Sequence, residues 1–97
     1  MGDMTKLRWN IEKERRLQSD TTRNSVTFAD CAVAINDGRV VDVLSHPTLS
    51  HQRLAVLNIE DYIYIAPFVV EDDGTWFLKT VFPSRKHTAI YLGKKKL

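Results

Sequence analysis

Arg53 to Pro83 reads RLAVLNIEDYIYIAPFVVEDDGTWFLKTVFP, and how this stretch doubles back on itself decides the fold. Three runs rich in β-branched and aromatic residues, Arg53 to Ile59, Tyr62 to Val70 and Thr75 to Pro83, are separated by Glu60-Asp61 and by Asp73-Gly74. Such residues favour a pleated, half-buried surface, and Asp-Gly is a favoured pair for a two-residue hairpin turn. Connections this short join antiparallel neighbours, so the stretch is expected to form a meander. Two-residue loops would place Ile59 opposite Tyr62 and Arg53 opposite Phe68, and Thr75 opposite Asp72 and Lys79 opposite that same Phe68. Arg53, Phe68 and Lys79 would then form one row, its two cations two inter-strand spacings or about 10 Å apart. This register gives a core face of Leu54, Val56, Ile63, Ile65, Val69, Leu78 and Phe82. Arg53, Tyr62, Tyr64, Phe68, Phe77 and Lys79 fall on the opposite, open face.

Upstream, the pattern is helical. Asn10 can cap a helix within WNIEKERRLQSD, which carries Glu12 early and Arg15 and Arg16 later, as the helix dipole prefers. Thr27 and Asp30 form a variant capping box, with Val26 and Cys31 as its staple, and Gly38 stops the helix. Phe28, Cys31, Ala32 and Ile35 make one apolar stripe, which reads Cys31 as a core residue. RVVDVL is a short strand and SHPTLSHQ a loop, because Pro47 excludes regular pairing. Ser84 can cap a final helix from Arg85 to Leu92, stopped at Gly93. The expected fold class is α+β: two N-terminal helices, an antiparallel three- to four-stranded meander sheet and a short C-terminal helix.

Ninety-seven residues, 43% hydrophobic and 27% charged, suit a single globular domain over 1–97, with residues 93–97 a basic tail. One cysteine excludes an internal disulfide, and there is neither a leader pattern at the start nor an apolar run of membrane-spanning length. A cytoplasmic protein without membrane association is therefore expected. The net charge of +2 conceals segregation. Residues 25–75 hold two cations against eight anions, while residues 76–97 hold six cations and no anion. The histidines and Cys31 lack metal-ligand spacing, and no phosphate-cradling glycine loop or dinucleotide fingerprint occurs, so neither metal nor cofactor is expected.

Aromatic rings interleaved with cations suit single-stranded RNA, since rings stack on unpaired bases and cations hold the backbone. On this reading Tyr64, Phe68 and Lys86 are RNA-binding candidates. The bland alternative is that the rings are ordinary strand formers on a solvent face, and a third reading makes the row a homodimer interface.

WNIEK at Trp9 to Lys13, SVTFAD at Ser25 to Asp30, GRVVDVLSHP at Gly38 to Pro47, QRLAV at Gln52 to Val56, YIAPFV at Tyr64 to Val69 and FLKTVFPSRK at Phe77 to Lys86 together resemble the BrnT-like toxins of bacterial type II toxin-antitoxin systems. The resemblance covers most of the chain and rests on the order and spacing of the motifs. It implies a fold similar to RelE and ParE toxins, ribonuclease activity that blocks translation, and a cognate antitoxin protein as partner. It also implies that the family's basic positions fall on Arg53, Lys79 and Arg85.

RNA cleavage without a metal requires deprotonation of the 2′-hydroxyl, stabilisation of the pentavalent phosphate and protonation of the leaving 5′-oxygen. Arg85, at a helix start, suits the second task, with Lys79 and Arg53 clamping neighbouring oxygens. His46, His51 and His87 are the proton-transfer candidates, histidine being the residue type suited to that task near neutral pH, although surface histidines are commonly idle. Lys79 is a further candidate if neighbouring cations depress its pKa. The alternative to a toxin is a non-catalytic RNA- or protein-binding module on the same fold.

Overall fold

Polar caps start both helices of the first half of the chain. In the computed structural model, described over residues 4–20 and 26–93, Asn10 accepts from the backbone N–H groups of Glu12 and Lys13 and opens α1, Ile11–Ser19. Thr27 opens α2, Phe28–Asn36, through a reciprocal capping box with Asp30. Glu14, the one buried charged residue among the described residues, completes that helix start from a distance. Its carboxylate oxygens accept from Phe28 N at 2.7 Å and Ala29 N at 3.1 Å. The first-turn donors of α2 are thus satisfied by two side chains on separate segments, and α1 is fastened to α2.

The strands are β1 Leu7–Arg8, β2 Val40–Ser45, β3 Arg53–Ile59, β4 Tyr62–Val70, β5 Trp76–Leu78 and β6 Phe82–Pro83, with α3 Arg85–Leu92 at the end. Five lie in the order β1-β5-β4-β3-β2, and β6 also pairs with β4. β1 runs parallel to β5 and the other pairs are antiparallel. This corrects the expected two N-terminal helices followed by a simple meander. A strand precedes the helices, of which one is N-terminal, one lies mid-chain and one is C-terminal, and the six-stranded sheet is mixed. A two-residue strand such as β1 carries no alternation that a sequence could display.

The β3–β4 turn keeps the expected register, Ile59↔Tyr62 through Arg53↔Phe68. Glu60 and Asp61 occupy it with φ of 54° and 65°, the left-handed conformation that a two-residue type I′ loop requires at both positions. The next hairpin departs by one residue. Gly74 N donates to Glu71 O at 2.9 Å, Glu71 N donates to Thr75 O at 2.7 Å, and Gly74 has φ of 90°. This is a three-residue loop with a glycine bulge in place of the expected two-residue turn. Val70 therefore pairs with Trp76, and Leu78 faces Phe68 where Lys79 was expected.

A second irregularity follows from Pro67, which lacks an N–H to offer its neighbour. Lys79 N still donates to Pro67 O at 2.8 Å, but from Leu78 to Phe82 the chain takes four steps against three from Phe68 to Ile65. The extra residue is a bulge. It splits the expected single strand into β5 and β6 and reverses which face later side chains occupy.

Both faces of the sheet are covered. Phe28, Cys31 and Ile35 of α2 pack on Leu57, Tyr64, Phe68, Leu78 and Val81, with Trp9, Leu17 and Trp76 at the margin. On the reverse, Val56, Ile63 and Ile65 pack with Leu44, Leu54, Tyr91 and Leu92. Thr88 anchors α3 there: its hydroxyl accepts from Ile63 N at 2.9 Å and donates to Ser84 O at 2.8 Å. The expected open aromatic face is accordingly a second buried face, and it is the one on which α2 packs. Phe68 stacks on Trp76 with ring centroids 3.9 Å apart, and burying a ring of this size stabilises by roughly 1.5–3 kcal/mol. Phe82, expected in the core, is 42% exposed.

At the far edge, β2 carries a bulge at Val41, between the pairs Val40↔Leu57 and Asp42↔Val56. Asp42 folds back so that its Oδ1 accepts from Val43 N at 2.8 Å.

Candidate nucleic-acid interface

The register shift at Gly74 and the bulge at Pro67 decide where the basic residues go. Phe77 pairs with Arg8 on one side and Val69 on the other, so its ring lies on the α3 side of the sheet. The Arg8 guanidinium carbon sits 5.5 Å from the centre of that ring and the Lys79 ammonium 5.3 Å. Two cations thus flank one partly buried aromatic. Arg8 also meets Glu71 in a two-pronged ion pair, with Nη1 3.0 and 2.9 Å from the carboxylate oxygens. The Lys79 ammonium has no carboxylate partner among the described residues. Arg8 went unnoticed in the sequence because its position depends on the parallel β1–β5 pairing.

On the same side of the sheet, α3 begins with Arg85 and Lys86, both exposed. Ser84 caps this helix: its Oγ accepts from His87 N at 3.1 Å and lies 2.7 Å from His87 Nδ1. When the hydroxyl donates to Nδ1, the neutral ring carries its proton on Nε2. His87 also stacks on Tyr91, with centroids 6.2 Å apart. The Tyr91 hydroxyl donates to Asp42 Oδ2 at 2.9 Å, and that hydrogen bond to a carboxylate pushes the phenol pKa up. This contact ties the C-terminal half of α3 to β2.

Three expected groupings are not assembled. Tyr64 and Phe68 are 3% and 1% exposed; they are core rings that a base cannot reach. Arg53 is exposed at the start of β3 and shares the face of Phe68, whereas Lys79 lies by the Phe77 ring on the reverse, so the expected row of two cations across Phe68 does not form. His46 and His51 flank the β2–β3 loop beside Arg53. His46 Nδ1 accepts from Thr48 N at 3.1 Å and from Leu49 N at 3.0 Å, which spends that nitrogen on shaping the loop.

Among the described residues no group of three or more His, Cys, Asp or Glu side chains is arranged to hold a metal ion. No helix among them is long and apolar enough to cross a membrane. The basic tail, Lys94 to Lys96, lies outside the described residues. Comparison of the chain with protein-family models, curated proteins and solved structures found no match.

Proposed function

We propose that this protein is the toxin of a type II toxin-antitoxin pair, an endoribonuclease that cuts RNA without a metal ion and so blocks translation. The observation that carries this reading is that Lys79 and the Arg85-Lys86-His87 helix start share one side of the sheet with the Arg8–Phe77 pair. Arg85 and the first N–H groups of α3 would stabilise the pentavalent phosphate, and Lys79 would hold an adjacent oxygen. His87, oriented by Ser84, is the proton-transfer group of this side. Phe77 replaces Tyr64 and Phe68 as the ring nearest the cations, and Arg53 stands outside the cluster. The cognate antitoxin would neutralise the protein by covering the α3 side.

The test is growth. Induced expression without the partner should arrest it, and Lys79→Ala or Arg85→Ala should relieve the arrest. Unimpaired growth on induction of the intact protein would refute the toxin reading.

A second reading is a non-catalytic RNA- or protein-binding module on the same fold, favoured by the placement of Arg53 on the face of the sheet opposite Lys79. In that case RNA binds with salt-dependent affinity and no cleavage product appears.

A further inference from the structure

The bulge that carries Lys79 also faces the other side of the sheet. There a cavity of about 190 Å³ is lined by Lys13 and Arg16 of α1, by Thr80, and at its base by Leu17 and the buried Phe28. Lys13 and Arg16 are three residues apart, hence neighbours on one helix face. The Lys13 ammonium donates to Lys79 O at 2.9 Å, which holds that charge against the bulge itself. Neither cation meets a carboxylate among the described residues. β1 pairs with β5 only at Trp76 and Phe77, so the chain from Lys79 to Val81 has no strand outside it. Consecutive residues, Lys79 and Thr80, therefore join two cationic surfaces across an edge of the sheet that β1 does not reach.

We infer that the Lys13–Arg16–Thr80 cavity is a second phosphate subsite, and that a single strand of RNA runs over the bulge from Lys79 to it. Two cations and a hydroxyl around an open pocket match a phosphodiester, whose oxygens accept hydrogen bonds and carry charge. The cavity has no exposed ring to stack a base, so it contributes backbone affinity and direction of the strand, without sequence choice. This inference rests on the RNA-binding reading and deepens it.

The experiment titrates the full chain with a fluorescein-labelled, 2′-O-methylated oligouridylate of about ten nucleotides, long enough for a single-strand site. Blocking the 2′-hydroxyl separates binding from cleavage. Lys13→Gln with Arg16→Gln removes two phosphate contacts at exposed positions. It should lower affinity about tenfold or more at low salt and flatten the slope of log K against log salt by about 1.4, at roughly 0.7 per contact. Thr80→Glu, which sets a carboxylate in the cavity, should weaken binding in the same direction. Binding whose slope flattens by about 0.7 on Lys79→Ala but is unchanged in both cavity variants overturns the subsite alone. Absence of binding by the intact protein overturns the subsite together with the RNA reading beneath it.

Discussion

Glu14 offers the sharpest test of how the first half of the chain is held. Its carboxylate, 6% exposed, supplies the acceptors for Phe28 N and Ala29 N at 2.7 and 3.1 Å. Glu14→Ala removes both and leaves two donors at the start of α2 without partners. Hydrogen bonds to a charged group contribute about 1.5–3 kcal/mol each. Ala29 is exposed, so water can replace part of its bond, and the lower end applies: a loss of about 3 kcal/mol in all. For a domain of this size that lowers the Tm by about 12–24 °C. Glu14→Gln keeps one acceptor oxygen and should lose about half as much, roughly 1.5 kcal/mol. Urea unfolding followed by tryptophan fluorescence suits the measurement, since Trp9 stacks on Phe28 with centroids 6.0 Å apart. If Glu14→Ala unfolds within about 0.5 kcal/mol of the parent, a size ordinary for surface changes, the cross-helix cap is refuted.

Three more outcomes follow from buried or hydrogen-bonded groups. Burial, and then the charges of Asp30 and Glu14, push the Cys31 thiol up to about 12; a disulfide reagent at pH 8 should label it only as the protein unfolds, and rapid labelling of the native state would contradict the packing. Thr88→Val keeps the side-chain shape but strands Ile63 N, so stability should fall by about 2 kcal/mol in urea melts, and an unchanged midpoint would remove α3's anchor from the account. Hydrogen bonds from the Thr75 side chain and backbone hold the Asp73 carboxyl below its usual range; its folded pKa is depressed, so its contribution is present above the ordinary carboxylate range and fades as pH falls through the folded value. Asp73→Ala should therefore flatten the acid limb of a stability-against-pH curve, and an identical limb in both proteins would show that the turn does not use this charge.

Local chemistry was legible in the sequence wherever a cap or a tight turn expresses it. The Asn10 and Thr27 caps, the bounds of β3, β4 and α3, and the Ile59↔Tyr62 register were all readable because neighbouring residues determine them. The candidate site was not, because one residue of loop length inverts the side chains that follow until a bulge reverses them again. Asp73-Gly74 signals a hairpin, but the same pair serves a two-residue turn and a three-residue loop with a bulge. Pro67 announces a missing donor, yet the sequence does not say that the opposite strand answers with an extra residue. Together these sent Lys79 to the side away from Phe68, whereas Tyr64 and Phe68 keep their expected face and are buried because α2 packs on it. Arg8 entered through a parallel pairing between segments about seventy residues apart, where no local pattern could show it.

The outer rim of β2 bears on how the protein behaves when crowded. An unguarded row of peptide groups invites a neighbouring molecule to extend the layer, and repetition of that step leads to fibrils. Here Asp42 keeps one of those hydrogens for itself, and the kink at Val41 breaks the spacing a newcomer would have to match. Valine in place of Asp42 would leave an unbroken run of apolar residues from Val40 to Leu44 on that margin, and extension of the layer by a second molecule should become easier.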